Sequence, residues 1–157
     1  MIKLGDYVRD KITNFEGLTL GKSEYLNGCV QFEVQPRIDK EGKMSESEWI
    51  DEQQLEVIEE SDLDKVFEPR DSKPAITLGE EVRDTLLGFE GVVISKSTSI
   101  AGYVQYDVQP KRDKEEKLPD SVYISALHLE VINKIEPEKE VEKPLGGGVR
   151  NHPSKRR

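Results

Sequence analysis

The sequence predicts an all-β protein: two tandem five-stranded β-barrels, a short linker between them, and an extended C-terminal tail. Three observations predict it. The chain repeats itself at a fixed offset of 74 residues. Apolar and polar residues alternate at period two inside each copy, the pattern of a half-buried strand. After Asn133 the composition changes to lysine, glutamate and glycine, with no apolar period.

The repeat needs no gap. Residues 2–58 align with 76–132, and 27 of the 57 aligned positions are identical. Leu4-Gly5 meets Leu78-Gly79, Val8-Arg9-Asp10 meets Val82-Arg83-Asp84, and Phe15-Glu16-Gly17 meets Phe89-Glu90-Gly91. Val34-Gln35-Pro36 meets Val108-Gln109-Pro110, and Leu55-Glu56-Val57-Ile58 meets Leu129-Glu130-Val131-Ile132. Such self-similarity is duplication, and it divides the chain before any other reading. Residues 1–60 form the first copy, 61–74 the connection, 75–133 the second copy and 134–157 the tail.

Each copy reads as five strands. The first surrounds Val8 or Val82. The second follows Gly17 or Gly91, with Leu18 and Leu20, or Val92 and Ile94, as its inward pair. Gly28 and Gly102 turn the chain into a third strand, where Val30, Phe32 and Val34, or Val104, Tyr106 and Val108, face the core. Trp49-Ile50 and Tyr123-Ile124 mark the fourth strand. Leu55 and Val57, or Leu129 and Val131, mark the fifth. No segment of ten residues inside a copy carries a helical stripe. In the connection, Leu63, Val66 and Phe67 fit one helical face, so it reads either as a solvated linker or as a short helix.

This layout resembles small barrels of the SH3-like group, and is most similar to Tudor and KOW-type modules. There a glycine after the first hairpin lets the chain bend, and closure hides the strand edges. The first copy also resembles a small domain of uncharacterised bacteriophage proteins. That resemblance is carried by Leu4-Gly5-Asp6, Phe15-Glu16-Gly17, Tyr25-Leu26-Asn27-Gly28-Cys29, Val34-Gln35-Pro36 and Trp49-Ile50-Asp51-Glu52. The second copy departs from it at Tyr103, Tyr123 and Ser125-Ala126. The resemblance implies phage origin and brings no activity with it.

Composition narrows the function. Charged residues make up 35% of the chain and the net charge is −9, which argues against a general nucleic-acid binder. The charge is divided: residues 1–60 carry −7, residues 75–133 carry −4, and residues 134–157 carry +3. A single cysteine, Cys29, precludes an intramolecular disulfide and a four-cysteine metal site. No stretch approaches the apolar length of a membrane span, and the N-terminus lacks an apolar signal segment. A protein made in the host cytoplasm and then built into a virion is expected, with no membrane partner.

No catalytic residue, cofactor or metal site is expected. Cys29 lacks a histidine in its own copy and reads as structural or incidental, and Asp51-Glu52, replaced by Ser125-Ala126 in the other copy, reads as a solvated loop. His128 reads as a satisfied surface or half-buried side chain, and Arg9-Asp10 and Arg83-Asp84 as ion pairs or loop anchors. The glycine triplet Gly146–Gly148 has neither the strand nor the helix of a phosphate loop. Aromatic side chains are the binding candidates, Tyr25 and Tyr103 foremost, whereas core packing competes for Trp49 and Tyr123. Arg150, Lys155, Arg156 and Arg157 are the candidates in the tail, for carboxylates or phosphates of a neighbour.

The expected function is that of a non-enzymatic structural or interaction protein, a virion accessory that decorates a capsid or joins neck and tail parts. Its partners are then other virion subunits, and nucleic acid enters only through the basic end. Two alternatives are an intracellular binding protein, which sequesters a nucleotide signal or blocks a host protein, and a KOW-like contact with RNA, ribosome or polymerase.

Overall fold

In the computed structural model, residues 1–62, 75–112, 114–115 and 117–133 are described. The first copy contributes β1 (Tyr7–Asp10), β2 (Glu16–Tyr25), β3 (Val30–Gln35), β4 (Glu48–Asp51) and β5 (Leu55–Glu59). The second contributes β6 (Glu81–Asp84), β7 (Glu90–Ser99), β8 (Val104–Gln109), β9 (Val122–Ser125) and β10 (Leu129–Asn133). All pairings are antiparallel, and no α-helix occurs among the described residues. The linker helix through Leu63, Val66 and Phe67, and the whole tail, lie outside the described residues.

Within a copy the strand order is β5-β1-β2-β3-β4, repeated as β10-β6-β7-β8-β9. Period-two alternation selects the buried face. Val8, Phe32 and Val34 are fully buried, with Ile50 and Leu55, and Ile2, Leu4, Phe15 and Val30 pack around them. Val82, Val93, Tyr106 and Val108 do the same in the second copy, with Ile76, Val104, Ile124, Ala126 and Leu129. Tyr106 replaces Phe32 because its hydroxyl has a partner there, accepting a hydrogen bond from the Ile76 amide at 3.2 Å.

Three expectations need correction. The inward residues of the second strands are Thr19 and Val93, both fully buried, whereas Leu18, Leu20, Val92 and Ile94 are only half-buried. Thr19 is tolerated inside because its hydroxyl donates to the Lys3 carbonyl at 2.7 Å. A bulge between Thr19 and Gly21, matched between Val93 and Ser95, then shifts the phase of the strand. Val57 is exposed, so the apolar pair of the fifth strand is not an inward pair in the first copy. Nor do the ladders close: β4 pairs only with β3, and β5 only with β1. A single 3-10 turn joins them, Glu52–Gln54 in one copy and Ala126–His128 in the other.

The copies are not separate beads. β2 and β7 pair with each other, joining both copies into one ten-stranded sheet. Each of these strands is ten residues long because one of its edges serves two neighbours in turn. On β2, Glu16–Leu18 pair with β1 and Gly21–Tyr25 pair with β7. The inter-copy register is self-consistent under the 74-residue offset. Lys22 faces Thr98, Glu24 faces Lys96, and Ser23 faces its own equivalent, Ser97. A local twofold axis therefore passes between Ser23 and Ser97, whose hydroxyls lie 2.6 Å apart in a hydrogen bond. The ends are sealed symmetrically: Leu26 N–H donates to the Ile94 carbonyl at 2.9 Å, and Ile100 N–H to the Leu20 carbonyl at 2.7 Å.

Candidate functional site

A cleft of about 780 Å³ lies on this axis, walled by both copies. Its floor is polar, formed around Ser23 and Ser97 with the equivalent amides of Gln31 and Gln105. Its walls are aromatic: Tyr25 and Trp49 from the first copy, Tyr103 and Tyr123 from the second. Trp49 is 47% exposed, Tyr103 57% and Tyr123 52%, so of the two readings left open for Trp49 and Tyr123, core packing does not hold. The fourth strand turns these rings away from Ile50 and Ile124, which take the core positions.

Two rows of side chains cross the sheet on either side of the axis. In one, Trp49, Glu33, Gly21 and Ser99 are successive cross-strand partners from β4 through β3 and β2 to β7. In the other, Tyr123, Asp107, Ser95 and Tyr25 run from β9 through β8 and β7 to β2. The rows differ at Gly21, equivalent to Ser95. A Cβ on Gly21 would lie 3.1 Å from Cη2 of Trp49 and 3.0 Å from Oε2 of Glu33, so glycine lets the larger ring lie across β2. They differ also in satisfaction. Glu33 Oε1 accepts from the Ser47 hydroxyl at 2.7 Å. Asp107 is 8% exposed and Ser95 fully buried, and among the described residues neither Oδ1 of Asp107 nor Oγ of Ser95 has a hydrogen-bond partner.

Electrostatically the cleft suits neutral or positive groups. Glu33 lines it, and none of its lining residues is lysine, arginine or histidine. The Tyr25 hydroxyl donates to Gln31 Oε1 at 3.3 Å. Burial, with the neighbouring Tyr123 phenol and the charge of Asp107, pushes the Tyr25 phenol above its ordinary range, so it stays an uncharged donor.

Tyr25 and Tyr103, the two residues of the copies expected to bind, thus reach one cleft, although they are not equivalent positions. Arg150, Lys155, Arg156 and Arg157 lie outside the described residues. The pairing that forms the cleft went unread in the sequence. A faint signal was present: Lys22-Ser23 and Lys96-Ser97 are identical inside a stretch where the copies otherwise diverge.

The remaining candidates make contacts within the fold. Arg9 pairs with Glu16 at 2.6 Å and Arg83 with Glu90 at 2.6 Å, fastening the first hairpins. Asp10 accepts from the amides of Ile12 and Thr13, and Asp84 from Leu86, so each anchors the following turn. His128 offers its backbone carbonyl to Thr85. Asp51 caps the 3-10 turn, accepting from Gln53 N–H at 2.9 Å, and Ser125 does so in the second copy toward Leu127 at 3.4 Å. Among the described residues no three His, Cys, Asp or Glu side chains gather around a common point, and no helix is long and apolar enough to cross a membrane.

The Cys29 thiol donates to Asp51 Oδ2 at 3.1 Å. That hydrogen bond, then burial, raise its pKa, while the Gln53 amide and this same thiol lower that of Asp51. A raised thiol pKa means less thiolate at any pH below it, hence a poorer nucleophile. Alkylation of Cys29 near about pH 8 should therefore be slower than that of an unstructured cysteine. Asp51→Asn should speed it severalfold. Equal rates in wild type and Asp51→Asn would show that the carboxylate does not hold the thiol.

No protein-family model, no curated protein and no solved structure matches the chain.

Proposed function

We propose that this chain is a non-enzymatic interaction protein of a bacteriophage particle, a capsid decoration or neck/tail adaptor that holds another virion subunit in the cleft on its local twofold axis. The observation that carries the interaction reading is that cleft: partly exposed aromatic rings from both copies around a polar floor. Exposed aromatic rings framed by hydrogen-bonding groups are the usual anchors of a protein contact. Duplication supplies the geometry, since one copy alone has only half of the walls. The strand order β5-β1-β2-β3-β4, with a 3-10 turn before the last strand, supports reading each copy as an SH3-like barrel of the Tudor or KOW type. The phage assignment rests on the sequence resemblance of the first copy.

Sequestration of a nucleotide signal would find aromatic faces here but no lysine, arginine or histidine in the lining to meet phosphates. A KOW-like contact with RNA meets the same objection from the acidic copies, −7 and −4.

The test is mass spectrometry of purified particles from cells making either the wild-type chain or the Trp49→Ala/Tyr123→Ala variant. Both rings are exposed, so the variant should fold. Wild type is expected in the particles, with the variant depleted roughly tenfold or more, as for loss of two aromatic anchors. Absence of the wild-type chain would refute the virion role, and full retention of the variant would refute the cleft as the contact.

A further inference from the structure

Resting on the cleft as the binding site, we infer that its Trp49 end receives an arginine side chain from an extended segment of the partner protein, with the guanidinium held by the indole and the Glu33 carboxylate. The first support is that this carboxylate is within reach. Glu33, Gly21 and Trp49 all line the cleft. Two groups converge over the bare Cα of Gly21: a Cβ there would lie 3.0 Å from Glu33 Oε2 and 3.1 Å from Trp49 Cη2. The other oxygen, Oε1, is taken by the Ser47 hydroxyl at 2.7 Å. Oε2 accepts from no donor among the described residues, and unlike Oδ1 of Asp107 it is not sealed from solvent. A carboxylate only accepts, so the ligand atom that meets it must be a donor, and a charged donor makes the strongest bond.

The second support is the aromatic surface beside it. Trp49 is the cross-strand partner of Glu33 and is 47% exposed. Indole is the strongest aromatic partner for a cation. A guanidinium suits it better than an ammonium, being planar, more weakly hydrated, and able to stack while its fork donates sideways. Tyr103 stands across Gly21: Ser99 faces Gly21 from β7, and its hydroxyl accepts from the Tyr103 amide at 3.2 Å. An arginine stem entering there has an aromatic wall to lie against. The third support is the absence of a competitor. The lining includes no cation, Glu33 forms no ion pair among the described residues, and Lys22 pairs with Glu24 at 3.0 Å. The opposite end lacks the combination, because neither Asp107 nor Ser95 belongs to the lining. A protein segment is favoured over a free guanidinium as the source. One guanidinium fills a small part of about 780 Å³, and the amides of Gln31 and Gln105 offer a peptide backbone both donors and acceptors.

Isothermal titration calorimetry of the full chain tests this with four probes: acetyl-Gly-Gly-Arg-Gly-Gly-amide, the same peptide with citrulline, the same peptide with lysine, and ethylguanidinium. Citrulline keeps the shape of arginine and removes its charge. The arginine peptide should bind saturably, and the other three more weakly. Glu33→Gln should lose about 10- to 100-fold in affinity for the arginine peptide, the equivalent of one charged hydrogen bond. It should then bind that peptide no more tightly than the citrulline one. Circular dichroism melting establishes that the variant is folded; should Glu33→Gln not fold, Trp49→Leu tests the same end and should also weaken the arginine peptide. Equal affinity of wild type for the arginine and citrulline peptides would overturn the assignment, as would unchanged arginine affinity in a folded variant. Tighter binding of the lysine peptide would overturn the guanidinium, and ethylguanidinium binding as tightly as the arginine peptide would overturn the protein source. Should no probe bind, this inference falls. The cleft reading then falls with it only if the Trp49→Ala/Tyr123→Ala chain is fully retained in particles, and stands if that chain is depleted.

Discussion

Phe32→Ala is expected to destabilise the first copy by about 3–5 kcal/mol, the usual cost of emptying a buried phenylalanine site. Among the described residues Phe32 is the largest fully buried side chain, and only Val8, Val34, Ile50 and Leu55 share its core as buried residues. So small a cluster cannot collapse into the space without moving strands. A domain of about 60 residues has little stability to spare, so the first copy should be largely unfolded at ambient temperature. Because β2 also supports β7, the loss should reach the second copy as well. Chemical denaturation followed by Trp49 fluorescence reads the first copy directly, and far-ultraviolet circular dichroism reads both. A loss below about 1 kcal/mol would mean that the site relaxes far more than its packing allows.

The parts legible in the sequence were those governed by one rule at a time. Direct identity at the 74-residue offset gave the duplication, and strict alternation gave β3 and β8 with their buried faces. Misreadings arose where two rules competed. At Leu18-Thr19-Leu20, hydrophobicity favoured the leucines as core, but Thr19 found a backbone acceptor inside, and the bulge shifts the phase only after it. At Trp49 the large apolar ring suggested core, but Ile50 holds that position, and the bare surface of Gly21 receives the indole.

The site was half legible for a related reason. Tyr25 and Tyr103 were recognisable as aromatic binding candidates. Their meeting depends on β2 pairing with β7, a contact made by backbone hydrogen bonds and by Ser23, Ser97, Lys22, Lys96 and Glu24. A polar strand edge leaves no hydrophobic pattern, so composition and periodicity are silent about it. The buried Asp107 is equally invisible, since an aspartate at a polar position of an alternating strand reads as solvated.

Gly91→Val, and likewise Gly17→Val, should be as damaging as the loss of Phe32, for the opposite reason. A Cβ on Gly91 would lie 2.5 Å from the Gln109 carbonyl oxygen and 2.8 Å from Cγ1 of Val108. On Gly17 it would lie 2.5 Å from the carbonyl carbon of Gln35 and 2.9 Å from the Pro36 nitrogen. The obstructing atoms are mostly backbone, held by Gln35 and Gln109 side chains that donate to the carbonyls of Ser45 at 2.8 Å and Pro119 at 2.7 Å. They cannot yield as a flexible side chain would. Overpacking of this kind costs about 3 kcal/mol or more, and it pries β7 from β8 or β2 from β3 where each strand leaves its first partner for the other copy. Gly28→Ala is the contrast: φ is +85° and nothing lies within 4 Å, so only backbone strain of about 1–2 kcal/mol is expected. Denaturation midpoints should therefore fall much further for Gly91→Val than for Gly28→Ala, and Trp49 should lose its cleft environment only in the former. Comparable midpoints for the two variants would show that close approach at Gly91 does not shape the strand, and with it the cleft.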